Sequence, residues 1–160
     1  MSEVFIHEIE KLAADTKTTI NKPRKGETFV EVDQSNVRDF ISRLIGEVHV
    51  LHLSTITGLD LGQNFGVIYH FTYERDWVQV KTFISKTTST TKSIVDLVPG
   101  AILYEMEIHD MLGITFEGNP WINQKLLLPD NWPADLPPPL LKTSKPAEIR
   151  RRLQLEAEKK

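Results

Sequence analysis

The sequence predicts an α+β fold: an antiparallel or mixed sheet, helices on one face, and an extended proline-rich C-terminal arm. Three observations carry that expectation. Two segments repeat apolar residues at helical spacing. Three segments between them alternate apolar and polar residues as half-buried strands do. Beyond Gly113, prolines at 120, 129, 133 and 137–139 deny regular structure while large apolar residues continue. At 160 residues the chain has the size of one domain. It divides into an N-terminal helix and linker (1–26), an α+β globule (27–113), and a docking arm ending in a polar helix (114–160).

In chain order, residues 2–14 read as a short amphipathic helix, with Ser2 at its start and Val4, Ile6, Ile9, Leu12 and Ala13 as its apolar side. Asp15–Gly26 is polar, contains Pro23, and reads as a linker. Thr28–Val32 is a β-branched strand. A helix over 36–46 follows, capped by Asp33 or Ser35. Val37, Phe40, Ile41, Leu44 and Ile45 form its core stripe, and Gly46 ends it. Val48–Leu59 (with Val50, Leu51, Leu53 and Ile56), Asn64–Tyr73 and Trp77–Ser85 read as strands, the last two joined as a hairpin. The glycines at 58, 62 and 66 read as turn chemistry. A helical turn over 93–98 stops at Pro99. Gly100–Gly113 is the second helix, with Ile102, Leu103, Met106, Met111 and Leu112 as its stripe. Pro146–Lys160 reads as a polar helix.

Composition excludes several functions. With no cysteine, the chain offers no thiolate for an iron–sulfur cluster or zinc site and no thiol nucleophile. Its 19 basic and 22 acidic residues leave a net charge of −3, which is not the field of a nucleic-acid binder. No apolar run is long enough for a membrane span. The acidic N-terminus carries no signal-peptide pattern, so a cytoplasmic protein reaching membranes only through partners is expected. Walker, Gly-x-Gly-x-x-Gly and Gly-x-Ser-x-Gly patterns are missing.

The densest polar cluster is Glu105, Glu107, His109 and Asp110. On a helix, Glu105 and His109 are i, i+4 neighbours. Such a group could serve a small metal-dependent enzyme, holding a metal or forming an acid–base pair. A single histidine is a sparse ligand set, and the competing reading is a charged face opposite the apolar stripe. His49 and His52 are three apart in a strand, on opposite faces. The arm is the stronger signal. Phe116, Trp121, Leu126, Leu127, Leu128 and Trp132 lie on a proline-stiffened segment with little chance of burial in so small a domain. Apolar residues on such a segment mark a partner-binding surface.

The run Glu105-Met-Glu107-Ile-His-Asp110-Met-Leu-Gly113-Ile-Thr-Phe116-Glu117-Gly118-Asn-Pro120 resembles the signature of the complex I 30 kDa subunit family, its C-type subunits. Lys125-Leu-Leu-Leu-Pro129-Asp-Asn-Trp132 continues it, and Pro139-Leu-Leu-Lys-Thr143 stands where the family has its tail. Upstream, Tyr69-His70-Phe71, Val80-Lys81 and Ser93–Pro99 are similar to its hairpin and pre-signature helix. Departures concern mainly arginines. The family's arginine between the two glutamates is Met106, its tryptophan is Leu103, and its histidine before proline is Asn119. Its basic pair is replaced within Asn123-Gln-Lys125, and its Arg-Lys-Asp tail by Leu141-Lys-Thr143. Lost arginines remove bidentate contacts. The pattern therefore resembles most the equivalent subunit of membrane-bound energy-converting [NiFe]-hydrogenases and related ferredoxin-dependent complexes.

The resemblance implies a non-catalytic structural subunit of a hydrophilic arm, with no cofactor or metal of its own. The alternative hosts are a NADH:quinone oxidoreductase or a sulfur-reducing relative. The implied partners are a large [NiFe]-hydrogenase-like subunit (the complex I D type) and an iron–sulfur small subunit. Those would carry the [NiFe] centre and the clusters, in a hetero-oligomer on the cytoplasmic side of the membrane. The implied interface residues are Glu105, Glu107, Asp110, Phe116, Glu117, Pro120, Trp121, Lys125, Leu127, Pro129 and Trp132.

Overall fold

The computed structural model describes residues 3–15, 18–50 and 52–158. In chain order the elements are α1 (Glu3–Asp15), β1 (Thr19–Arg24), β2 (Glu27–Glu31), α2 (Val37–Gly46), β3 (His52–Asp60), β4 (Asn64–Tyr73) and β5 (Asp76–Ser85). After these come β6 (Thr90–Lys92), α3 (Ala101–Leu112), β7 (Thr115–Glu117) and α4 (Pro146–Glu158). Five strands form one mixed sheet in the order β1-β2-β5-β4-β3, and β6 and β7 pair in parallel as a separate ladder.

The central hairpin sets the layers. Side chains alternate across a strand, so Phe65, Val67, Tyr69 and Phe71 of β4 share a face with their partners Ile84, Thr82, Val80 and Val78 of β5. All eight are buried. Leu53, Ile56 and Gly58 of β3 extend that face, after a register shift between Leu53 and Thr55. Val30 of β2 joins it opposite Val80. The helices cover this side. α2 buries Val37, Phe40, Ile41 and Leu44 of its expected stripe, with Ile45 partly buried, and α1 buries Ile9, Leu12 and Ala13. The expected cap at Ser2, the side chains of Val4 and Ile6, and Leu51 lie outside the described residues.

Three expectations change. Thr19–Arg24 is an edge strand rather than linker, paired antiparallel with β2 around Gly26, whose φ of 84° suits only glycine comfortably. Of the three supposed turn glycines, Gly58 and Gly66 stand inside strands and only Gly62 lies in the turn. Gly58 is where α3 meets the sheet: a Cβ there would lie 2.8 Å from Leu112 Cδ1 and 2.9 Å from Ile108 Cγ2. The apolar stripe of α3 is also different. The helix buries Ala101, Glu105, Met106, Ile108, Asp110 and Leu112, while Leu103 is exposed. Two carboxylates thus take positions the apolar pattern assigned to solvent. Gly113 ends α3 in the left-handed region, its N–H donating to His109 O at 2.8 Å.

The core also continues past Gly113. Ile114 and Phe116 are fully buried, and Phe116 pairs with Thr91 in the β6–β7 ladder. The arm that follows stays on the globule. It turns back over α3, with Leu140 N donating to Met111 O at 3.0 Å, and α4 reaches it through an Arg152–Asp135 ion pair.

Candidate docking surface

Helix α3 presents Glu105 and Asp110 about 140° apart around its axis, and each carboxylate organises a different segment. Glu105 is fully buried. It accepts from Ser93 Oγ at 2.7 Å, Ile94 N at 2.9 Å and Asn119 Nδ2 at 3.0 Å. Ser93 and Ile94 follow β6 and Asn119 follows β7, so one carboxylate gathers the chain at the C-terminal ends of both strands of the small ladder. Asn119 extends the network, donating also to Ile102 O and accepting from Trp121 N. Burial pushes the Glu105 carboxyl above its ordinary value, and the hydrogen bonds from Ile94, Ser93 and Asn119 pull part of the way back. The Tyr69 hydroxyl is buried without a hydrogen-bond partner. Its burial, reinforced by the Glu105 charge, raises the phenol well above its usual range.

Asp110 is equally buried. Its Oδ2 accepts three consecutive backbone N–H groups, from Leu126 and Leu127 at 2.8 Å and Leu128 at 3.2 Å. Successive amides converging on one anion form a nest, here in a segment without helix or strand. Lys125 Nζ stands 3.6 Å from Oδ1. Desolvation would raise this carboxyl; the three amides and the nearby lysine outweigh it and hold it below its ordinary value. Replacing Asp110 with alanine should release the segment. The amides of Leu126–Leu128 should exchange with solvent roughly 10–100-fold faster, corresponding to about 1.4–2.7 kcal/mol of local opening, while amides of β4 and β5 keep their protection. Residue-resolved hydrogen exchange measures both.

A third tie holds the arm further on. Asp60, at the end of β3, accepts from Lys142 N at 2.9 Å, Gly62 N at 2.8 Å and Lys86 Nζ at 2.5 Å. The hydrogen bond from Lys86, then that from the Lys142 amide, holds its carboxyl at about 2. A depressed carboxyl favours folding above its unfolded value and loses that contribution as pH falls through the folded one. The Lys142 tie should therefore be complete above about pH 4 and break as pH falls through about 2. The Lys142 amide shift should follow that titration, and Asp60→Asn should remove it.

The residues expected at an interface separate accordingly. Glu105, Asp110 and Phe116 are buried in this chain: Glu105 accepts from Ser93, Ile94 and Asn119, and Asp110 gives Oδ2 to the arm's amides while its Oδ1 is without a hydrogen bond. Glu107, Glu117, Pro120, Lys125 and Pro129 are exposed, and Trp132 is half-buried. Trp121 and Leu127 are 47% and 57% exposed. Leu126 and Leu140 are exposed too, at 38% and 62%, so four large apolar side chains face outward from a segment fixed at Asp110, Met111 and Asp60. The enzyme-like cluster is not assembled. Glu105 and Asp110 serve separate networks, Glu107 faces solvent, and His109 Nδ1 lies 3.0 Å from Ile114 O. Among the described residues no group of three or more His, Asp or Glu could hold a metal ion, and no helix is long and apolar enough to cross a membrane. The roles of Ser93, Asn119 and Asp60 were not among the sequence expectations. Of these only Asp60, two residues before a turn glycine, carried a local signal.

A mixed sheet covered on one face by helices, with a C-terminal segment folded back and fixed by carboxylates, defines the class: an α+β module bearing a surface arm. Residues 30–149 match the family described as the respiratory-chain NADH dehydrogenase, 30 kDa subunit. The chain belongs to that family. It is 30% identical over 116 residues to the C subunit of NADH-quinone oxidoreductase from Roseiflexus castenholzii, covering 68% of this chain and 66% of the relative. It is 37% identical over 65 residues to hydrogenase-4 component G of Escherichia coli, covering 41% of this chain and 12% of that protein. Its match to the corresponding C subunit of Chloroherpeton thalassium spans 45% of the relative, and that to the C/D subunit of Phocaeicola vulgatus 20%. The chain thus spans less than two thirds of the length of these relatives. In fold it resembles a chain of the membrane-bound sulfane sulfur reductase, an archaeal respiratory membrane complex. The TM-score is 0.81 at 22% identity, over 95% of this chain and 92% of that one. A trypsin-resistant fragment of Nqo5 aligns at a TM-score of 0.65 and 19% identity, over 72% of this chain and 98% of the fragment.

Proposed function

We propose that this chain is a non-catalytic structural subunit of a membrane-bound complex of the NADH-quinone oxidoreductase or energy-converting hydrogenase type. One observation carries the reading: the arm exposes Trp121, Leu126, Leu127 and Leu140 while its backbone is fixed to the globule. A surface ordered in advance loses little entropy on docking, and an exposed tryptophan such as Trp121 is among the side chains that dominate interfaces. Family membership supports the setting. Relatives named as C/D subunits, in which the two are one chain, support a large subunit of the D type as the neighbour. An iron–sulfur small subunit would lie near the arm. On this reading the [NiFe] or quinone chemistry and the clusters belong to those partners, and the chain sits peripherally on the cytoplasmic side of the membrane.

The hydrogenase-type host rests on the missing arginines. Met106 is buried where the family signature has an arginine, so this position offers a partner no charge. Native mass spectrometry of the complex purified from its own membranes tests the proposal. The expected result is this chain together with a large hydrogenase-like subunit and a cluster protein. Recovery of the chain alone would refute it.

A further inference from the structure

A cleft of about 350 Å³ lies between the end of α3 and the returning arm, lined among others by His109, Asp110, Lys125, Leu128, Trp132 and Pro138. Asp110 turns one oxygen, Oδ2, to the arm amides. The other, Oδ1, is buried and has no hydrogen bond. Lys125, the nearest cation, stops at 3.6 Å, and its side chain remains a third exposed. A desolvated carboxylate oxygen without a donor is costly, and native proteins rarely leave one so. His109, whose Nδ1 lies 3.0 Å from Ile114 O, stands in the same wall. The remaining wall is apolar and includes an indole.

We propose that this cleft receives an arginine side chain from a partner subunit, its guanidinium donating to Asp110 Oδ1 and lying against Trp132. Lys125 occupies that place in the free chain and moves aside. A guanidinium suits the site better than an ammonium. It is planar, supplies several donors in fixed directions, stacks on an aromatic face, and loses hydration more readily. The inference rests on the chain being a subunit, and it names one contact by which the partner is recognised.

The first test uses the full chain alone, titrated with n-propylguanidinium at millimolar concentration, with n-butylammonium as comparison. The Trp132 indole and His109 ring resonances report binding. Saturable shifts are expected, stronger for the guanidinium. Lys125→Met should tighten binding about 3–10-fold by removing the competing cation, and Trp132→Leu should weaken it about 3–10-fold. Both changes lie near the surface and spare the Asp110 Oδ2 contacts. No shift in the wild-type chain, or affinities indifferent to both substitutions, would overturn the cleft as a cation site. The second test is assembly. Trp132→Leu should lower recovery of the intact complex from membranes; undiminished recovery would overturn the partner arginine while leaving the structural-subunit reading in place. Recovery of the wild-type chain alone would refute that reading, whatever the titration shows.

Discussion

Replacing Glu105 with alanine is expected to destabilise the chain by roughly 3–5 kcal/mol, the range for removing one partner from a buried charged network. Ser93 Oγ, Ile94 N and Asn119 Nδ2 would all lose their shared acceptor, and the space would not fill because Glu105 has no exposed surface. At about 2–4 °C per kcal/mol for a chain of this size, the melting temperature should fall by roughly 6–20 °C. The β6–β7 ladder should fray first, since both of its C-terminal ends meet at this carboxylate. Glu105→Gln should cost less, because an amide oxygen can still serve one or two of the donors. Burial raises the Glu105 carboxyl. A raised group favours folding fully below its unfolded value and loses that contribution as pH rises through the folded one. Stability should therefore contain a component that declines with pH above the ordinary carboxyl range in wild type and is missing from Glu105→Gln. Denaturant melts across pH measure this. An alanine variant as stable as the parent would mean the network is ornamental.

The second large effect is expected at Gly58. A methyl group there meets Ile108 and Leu112 at separations shorter than packed carbons tolerate. The Leu112 contact is with the end of a flexible side chain. Ile108 offers its branch carbons and cannot turn away as easily. Alanine at 58 should cost about 1–3 kcal/mol and valine more, since overpacking forces helix and sheet apart. Shortening Ile108 to alanine in the Gly58→Ala background should recover part of the loss, giving a coupling energy of about 1 kcal/mol. Strict additivity in this double-mutant cycle would mean that the glycine is not what brings α3 onto the sheet. Because α3 carries both anchoring carboxylates, the substitution should also speed exchange at Leu126–Leu128.

These two positions show what the sequence could and could not convey. The stripe of α2 and the alternation of β4 and β5 were legible because one face of each is buried and the other wet, which is the condition under which periodicity reports structure. α3 meets different surroundings around most of its circumference: sheet at Ile108 and Leu112, ladder at Glu105, arm at Asp110. Its pattern is therefore no simple stripe, and charged residues read as solvent-facing are in fact enclosed. β1 was obscured because an edge strand carrying Pro23 and basic residues has the composition of a linker, as edges guarded against aggregation do. The arm's contacts were illegible for another reason. They run from backbone amides to distant carboxylates, and an amide has no side-chain signature. What the residues did announce, through exposed tryptophan and leucine among prolines, is the apolar face that those contacts hold in place.

The parallel pairing of β2 with β5 bears on how the chain is made. Val30 lies opposite Val80, with α2 and the hairpin strands β3 and β4 threaded between them. During synthesis, β1, β2 and the helices around them emerge first, but their sheet has no neighbour to join until 76–85 has cleared the ribosome. The meander β3-β4-β5 is local and closes quickly; the β2 junction carries the loop-closure cost and comes late. The nascent N-terminal third therefore spends that interval with the apolar sides of Val30, Phe40 and Ile41 uncovered. A nascent chain of which only the first 50–75 residues have emerged should be recognised by holdase chaperones, and one whose whole sheet has emerged should not.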